Sequence, residues 1–597
     1  MIDSIEPLKS NDYFITTSQI KSLNNFDQLN YFGSNVHIDG DDILFLKGNL
    51  LYPKLDLSDI LDKIKQSGVE SLNDLKGDFV ITYYNKQEKS LCIINDKLAL
   101  EPLYYHVEDS GVVLSTNFWK IAEFLDFNLL DVDIQALKEM AFFLKPLSNR
   151  TFFKKLYIFP AASIGKINLE TNDVLIEEYW DFRFNYKSEI TVEEASERLD
   201  AAITLAIKGI VDSNPESVTY GIGVSGGLDT RIIPHYLQKN NVENIESFII
   251  GEEKPRCFIL SRDHKNANDI TEHYGIPHHI SEYDSEDYDE KIFYDVKSHP
   301  LRASNILKVI TKNLPDFDVL LTGGYGTVVG GHIISKELDA LSDAELVDTI
   351  CSTLSRINPP PKRTFKSIVA STLNNILHTP SIKRRRLKRT YINGVLTKDE
   401  FNIAREKISN YIMIEKNKQK SNSDIFMKYH LLLSSKYGAF EGLSGTKKAY
   451  SIYFPYTLDE VSHWPPDYVI GRKVLEYMIY EKIPEMAKIS GQNKQITIHD
   501  RYRQTSKIQL FFLRLASYLT YYLREPGLRY RKWIKSKRFR EFEVSIFKRE
   551  NELFHHIFDV ERVLNESEDI HQLLIENIVK IKYFLDVVAS KDYEKYT

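Results

Sequence analysis

The sequence predicts a chain of two unlike parts: an α+β first half built on antiparallel strands, then an α/β second half built on a parallel sheet that passes into helices. Three observations predict it. Up to about residue 183, short apolar runs alternate or cluster between Gly, Asn and Asp turns, the pattern of half-buried strands. From about Thr191, helical and strand patterns take turns, which calls for crossover connections and so for a parallel sheet. At the end of one such strand, Gly221 to Arg231 (GIGVSGGLDTR) runs directly from apolar residues into Ser-Gly-Gly-Leu-Asp.

In the first half, DDILFLKGNLL, DFVITYYN, SLCIIND and GVVLSTN read as strands. LSDILDKIKQSG and DVDIQALKEMAFFL read as helices with Asp or Ser as N-caps. In the second half the order is a helix (VEEASERLDAAITLAIKGIV), a strand (VTYGIGV), a helix, a strand (IESFIIG) and a helix (DHKNANDITEHYG). Beyond His332 the chain reads as mainly helical, with a Pro-rich break at INPPPKR and a basic run from Lys383 to Arg389 that marks a surface excursion. A charged amphipathic helical tail follows from about Glu541. The expected divisions are therefore 1–183, 190–540 and 541–597.

At 597 residues the chain exceeds one ordinary core. With 43% hydrophobic and 27% charged residues it reads as globular rather than disordered. A net charge of −7 argues against nucleic acid as a partner. Three cysteines, Cys92, Cys257 and Cys351, exclude a disulfide framework and fit a reducing, cytoplasmic setting. The first residues lack the pattern of a signal peptide. Ile508–Leu523, the most apolar late stretch, is short for a membrane span and carries Arg514, so it reads as a packed helix.

The SGGLD string has a chemical reading. Gly226 and Gly227 let the backbone approach an anion and take positive φ, Ser225 offers a hydroxyl, and Asp229 offers a carboxylate suited to Mg2+. The helix that starts near Thr230 turns its first N–H groups toward the same place. This is a cradle for the pyrophosphate of ATP, set at a strand's C-terminal end, where open α/β sheets bind ligands.

With these motifs the chain resembles the asparagine synthetase superfamily. LKGDFVITYYN, NDKLALEPLYY, LSTNFWKIAEF and FPAASIGKINLETNDVLIEEYWDF are similar to landmarks of its class II glutaminase domain. VSGGLDTR, FIIGEE, LLTGGYGTVVGGH and FPYTLDEVSHWPPDY are similar to those of its ATP-pyrophosphatase domain. The resemblance implies a four-layered sandwich of the N-terminal-nucleophile hydrolase type, followed by an α/β ATP-binding domain. It implies an AMP-forming ligase that adenylates a small-molecule carboxylate for attack by ammonia or an amine, with ATP and Mg2+. Matched residue by residue, Val224 and Ile250 would border the nucleotide, Ser225, Gly226, Gly227, Asp229 and Thr230 would cradle pyrophosphate, and Thr322 with Gly323 would close the site. Asp229 would hold the metal, and Lys494, with Lys488 as the other choice, would meet charge developing during amide formation. His278 and His279 are assigned no role.

Departures from the family pattern bear on function. Ile2 stands where the family's nucleophilic cysteine follows the initiator Met, and an Asn-Gly-Glu signature reads Lys47, Gly48, Asn49. Both point to a first domain kept as a scaffold without glutaminase chemistry. In the glycine-rich turn GGYGTVVGG, Thr327 takes the place of a metal-binding Asp, leaving Asp318 as a substitute acid. Two alternatives stand beside the ligase: a glutamine-hydrolysing asparagine synthetase, and a nucleotide-binding protein that has lost turnover. The acyl donor, the amine and a homodimer are left open.

Overall fold

The computed structural model describes residues 12–16, 30–33, 35–109, 111–250, 258–283, 292–293, 295–297, 300–301, 311–312, 314–330, 334–354, 397–435, 448–490, 497–502, 537–560 and 572–596. Ile2, Cys257, the Lys383–Arg389 run, Lys494 and Ile508–Leu523 lie outside the described residues.

The first half forms two antiparallel sheets from eleven strands among the described residues: β1 (Tyr13–Thr16), β2 (Asn30–Gly33), β3 (Val36–Asp39), β4 (Asp42–Tyr52), β5 (Lys76–Asn85), β6 (Ser90–Asn95), β7 (Tyr104–Glu108), β8 (Gly111–Ser115), β9 (Tyr157–Ile158), β10 (Ser163–Asn168) and β11 (Val174–Glu178). Their orders are β2-β1-β8-β7-β9 and β11-β10-β6-β5-β4-β3. The two-residue period of a strand decides which side chain enters which layer. Along β5, Val80 and Tyr84 join Tyr13 and Ile15 of β1 in the core between the sheets. Phe79, Ile81 and Tyr83 point the other way, onto Ile60, Leu61 and Ile64. Those three residues form the apolar face of helix α1 (Leu57–Ser67), which Asp56 and Asp59 start with a reciprocal capping box. On the far side Phe14 packs in the core that also holds Phe118 and Trp119 of α2 (Phe118–Phe124) and Leu137 of α3 (Ile134–Phe143). The layers are helix, sheet, sheet, helix, the expected sandwich.

The second half opens with α4 (Val192–Asp212), capped by Thr191. It then builds a sheet from β12 (Tyr220–Gly223), β13 (Ile245–Ile250), β14 (His278–Tyr283), β15 (Thr311–Lys312), β16 (Val319–Thr322) and β17 (Lys448–Ser451). The order is β15-β14-β13-β12-β16-β17. All pairings are parallel except the β14–β15 edge. The chain runs outward from β12 through β13 to β14 and later returns to β16 on the other side of β12. The switch point is therefore the crevice at the C-terminal ends of β12 and β16. α5 (Leu228–Arg231) and α6 (Ile233–Lys239) leave β12, and α7 (Phe258–Tyr274) joins β13 to β14. Among the described residues, no helix is long and apolar enough to cross a membrane.

The two halves share one core. The helix Gln572–Ser590, whose sequence reads as charged, buries Phe584 against Phe152, Phe153 and Trp119 of the first half. Tyr593 just beyond donates its hydroxyl to the Phe127 carbonyl at 2.8 Å. A buried ionic seam lies elsewhere between the halves. Lys428 meets Glu178 at 2.5 Å, Asp181 at 2.6 Å and Glu415 at 3.2 Å, and Lys420 contacts both Asp181 and Glu415. Burial pushes the Asp181 and Glu415 carboxyls up, but their lysine partners outweigh it and hold both below the ordinary carboxylate range.

Carboxyls lowered on folding contribute stability that is fully present above their unfolded values, about 4, and lost as pH falls through the lowered folded ones. Thermal melts should show stability declining as pH drops from about 5 to about 3. Lys428→Met should flatten that decline and cost about 3 kcal/mol near neutrality, because it strands buried carboxylates.

Candidate functional site

The Ser225–Thr230 turn leaves β12 at the switch point, and Thr322–Gly326 arrives beside it from β16. The sequence places them 93 residues apart, counting Asp229 to Thr322; the parallel pairing of Ile222 with Leu321 brings them together. Close approach explains the glycines. A side chain on Gly323 would start 2.9 Å from the Asp229 carbonyl carbon, and one on Gly326 would start 2.7 Å from its carboxyl carbon. One on Gly226 would start 2.5 Å from an Asp263 oxygen. Gly226 and Gly227 were expected to take positive φ, and neither does. Gly226 is needed for proximity, whereas a side chain on Gly227 would meet only the Ser225 hydroxyl, at 3.2 Å.

The N–H groups of the turn are held from within the protein. Gly226 donates to Asp263 Oδ1 at 3.0 Å, Ser225 to Thr230 Oγ1 at 3.3 Å, and Gly227 to Ser225 Oγ at 3.2 Å. The two hydroxyl contacts are long, and hydroxyls turn readily toward a phosphate oxygen. Arg231, fully buried, braces the turn from below. Its guanidinium donates to the carbonyls of Gly226, Met486, Ile489 and Ser490 at 2.7–2.9 Å. Burial pulls it down to about 10, which leaves it charged near neutrality.

Asp229 was expected to hold a metal, and here its carboxylate faces Arg472. Nη1 and Nη2 of Arg472 donate to Oδ1 and Oδ2 at 3.0 and 3.2 Å, a two-pronged pair. Burial raises the Asp229 carboxyl above its ordinary range, and the guanidinium offsets this only in part. Tyr453 donates its hydroxyl to the Asp229 carbonyl at 3.2 Å. Thr327 lies in the short turn Gly326–Val329 next to this carboxylate. Asp318 cannot replace the missing acid: it precedes β16 and caps the Thr219 N–H at 2.9 Å, at the opposite end of the sheet from Thr322. Among the described residues, no group of three His, Cys, Asp or Glu is placed to hold a metal ion. The Asp229 carboxylate is thus already engaged by a cation of the chain itself, and Mg2+ would have to displace Arg472 to reach both of its oxygens.

Of the other expected residues, Val224 and Thr322 lie at the ends of β12 and β16, beside the turn. Val224 is buried in the core and reaches the crevice only through its backbone, and Ile250 packs beside Phe248 and Phe317. Thr322 accepts the Gly324 N–H at 3.2 Å within its own turn. Lys488 is exposed and pairs with Glu485. His278 bonds to Ser247 at 2.9 Å, and burial lowers it to about 4. Sequence reasoning missed Asp263, Arg231 and Arg472. Only Arg231 left a signal, a lone cation heading an apolar helix.

In the first half, Lys47 donates to Asp12 at 2.7 Å and lies 3.4 Å from Glu101, all three largely out of solvent. Where the family's amide donor would stand, this chain has a closed ion triad.

Residues 49–180 match the glutamine amidotransferase domain family. Asparagine synthetase [glutamine-hydrolyzing] 2 of Bacillus subtilis (strain 168) is 20% identical over 231 residues, which is 37% of this chain and 30% of that protein. The match therefore spans under a third of the relative's length. Solved structures with partial likeness include glutamine phosphoribosylpyrophosphate amidotransferase from B. subtilis complexed with ADP and GMP, at 10% identity over 46% of this chain and 75% of that one, TM-score 0.19. Another is the U34-tRNA thiolase NcsA from Methanococcus maripaludis, at 13% identity over 41% of this chain and 78% of that one, TM-score 0.15.

Gly323→Ala should cost about 2 kcal/mol in denaturant unfolding, since its new carbon meets backbone that cannot swing aside. A crystal structure of the variant should show Asp229 displaced from Arg472.

Proposed function

We propose that this chain, asparagine synthetase-like with a glutamine amidotransferase-type first domain, is an ATP-dependent, AMP-forming amide ligase that takes its nitrogen from ammonia or an amine. The observation that carries the reading is the pairing of the Ser225–Thr230 turn with Thr322–Gly326 at the switch point of the parallel sheet. ATP would supply the leaving groups: a carboxylate displaces pyrophosphate, and the amine then displaces AMP to give the amide. Ser225 and Thr230 would exchange their long backbone contacts for phosphate oxygens. Gly226 and Gly323 would keep the walls thin enough for the anion to reach the backbone. Arg231 and Asp263 hold the turn in place without reaching the substrate.

The ion triad of Asp12, Lys47 and Glu101 supports a first domain that does not release ammonia from glutamine. The positive charge that faces Asp229 is the Arg472 guanidinium, held within the chain itself. A second reading, nucleotide binding without turnover, is favoured by one observation, the Asp229 carboxylate already engaged by Arg472.

The purified protein, given ATP and a panel of carboxylic acids, should exchange labelled pyrophosphate into ATP, and Asp229→Ala should lower the rate about a hundredfold. Glutamine should yield no glutamate. Tight ATP binding with no exchange for any acid selects the second reading. Loss of ATP binding altogether defeats both.

A further inference from the structure

The Asp229 carboxylate is engaged by a cation of the facing segment. We propose that Arg472 replaces the divalent cation as the fixed positive charge of this site, so that the polyphosphate of a nucleotide is held there independently of Mg2+; this rests on the nucleotide-binding reading above.

Three features support it. First, the contact is two-pronged, with both oxygens of Asp229 taken by separate nitrogens of Arg472. A cation sharing that carboxylate would have to displace a guanidinium of like charge. The remaining N–H donors of Arg472 are of the kind that recognises phosphate.

Second, the chain is shaped to deliver this side chain. Arg472 takes a left-handed backbone, φ 62°, directly after Gly471 at φ 73°. The turn lies against Gly330, at φ 130°, where a side chain would start 2.3 Å from the Val469 carbonyl oxygen and 2.9 Å from the Arg472 Cα. Only glycine at 330 admits the approach. Across from it, Gly323 and Gly326 press on Asp229 itself. Glycines on one side seat the acid, and a glycine on the other seats the base.

Third, among the described residues the facing turn offers no carboxylate to compete for Arg472's position. Thr327 contributes an uncharged hydroxyl, Val328 beside it is apolar and buried, and Asp318 sits at the far end of β16. A monovalent guanidinium bound to the protein needs one carboxylate to balance it, and among the described residues Asp229 is the carboxylate paired with Arg472.

The test is ATP binding by calorimetry in excess EDTA and again in excess Mg2+. For the unaltered protein the two dissociation constants should agree within about threefold. Arg472→Met should weaken binding in EDTA at least about tenfold and recover part of it with Mg2+, because Asp229 is then unpaired. Arg472→Lys should keep binding independent of Mg2+. If the unaltered protein loses tenfold or more in EDTA, or if Arg472→Met binds as well as the parent there, the inference is overturned while the nucleotide reading stands. No ATP binding under either condition overturns both. Should Arg472→Met fail a thermal-melt check of folding, the comparison on the unaltered protein decides alone.

Discussion

A guanidinium with no solvent around it sets the geometry of the crevice. Arg231 is fully buried, and four carbonyls from two separate segments receive its N–H groups. Burying a charge is costly unless dipoles or counter-charges replace water. The carbonyls of Gly226, Met486, Ile489 and Ser490 therefore have to be where they are. Asn266 ties the same two regions, donating to Ser490 at 2.8 Å while lying close against Gly226, and neighbouring Asp263 takes the Gly226 N–H. The turn is thus fixed by helix α7 and the 486–490 segment, with no call on unusual glycine torsions. Asp229 is two residues from Arg231, so its direction, and that of the Arg472 contact, follows from the same bracing.

Much of this architecture is legible in the sequence, for reasons that are local. The period of two along DFVITYYN sends Val80 and Tyr84 to one layer and Phe79, Ile81 and Tyr83 to another. Asp56, Asp133 and Thr191 mark helix starts because a short polar side chain reaches the third N–H of its own helix. The Gly-Gly turn after β12 stands out for a similar reason. What stays hidden is long-range. Arg472 lies 243 positions from Asp229, and Met486 lies 255 from Arg231. No local pattern distinguishes Arg472 from a solvated arginine, and the apolar run after Arg231 does not say which carbonyls it meets. The helix Gln572–Ser590 is hidden differently: its charged residues attract the eye, yet Lys580 and Lys582 are themselves buried, one against Asp295 and the other against Asp586.

The first half carries no glutaminase-like donor at Lys47, yet it is bonded into the second half at several independent places. Lys76 and Lys97 both reach Asp459, Trp119 donates to the Val296 carbonyl at 3.0 Å, and the Phe184 N–H reaches Asp424 at 2.7 Å. Lys97 also lies 5.2 Å over the Trp180 ring, a cation held between a carboxylate and an aromatic face. Removing the first half would leave the Asp459 and Asp424 carboxylates and the shared core exposed.

Magnitudes distinguish a functional Arg472 from an incidental one. A solvent-exposed ion pair contributes about 0–1 kcal/mol. Holding a non-glycine residue in the left-handed region costs about 1–2 kcal/mol. An ordinary surface pair would not offset that strain, and any right-handed alternative at position 472 would remove it. The conformation is stable because the pair is partly buried, with side-chain exposures of 22% and 27%, and because Gly330, Gly471 and the Glu476 N–H bond to the Arg472 carbonyl leave the turn no other path. Strain retained against so small an isolated return is what a preorganised site shows. A bound metal ion can be lost to chelation or exchange, whereas a guanidinium seated by the fold is present whenever the chain is folded, and under the proposal made for Arg472 that permanence is what the strained turn would secure.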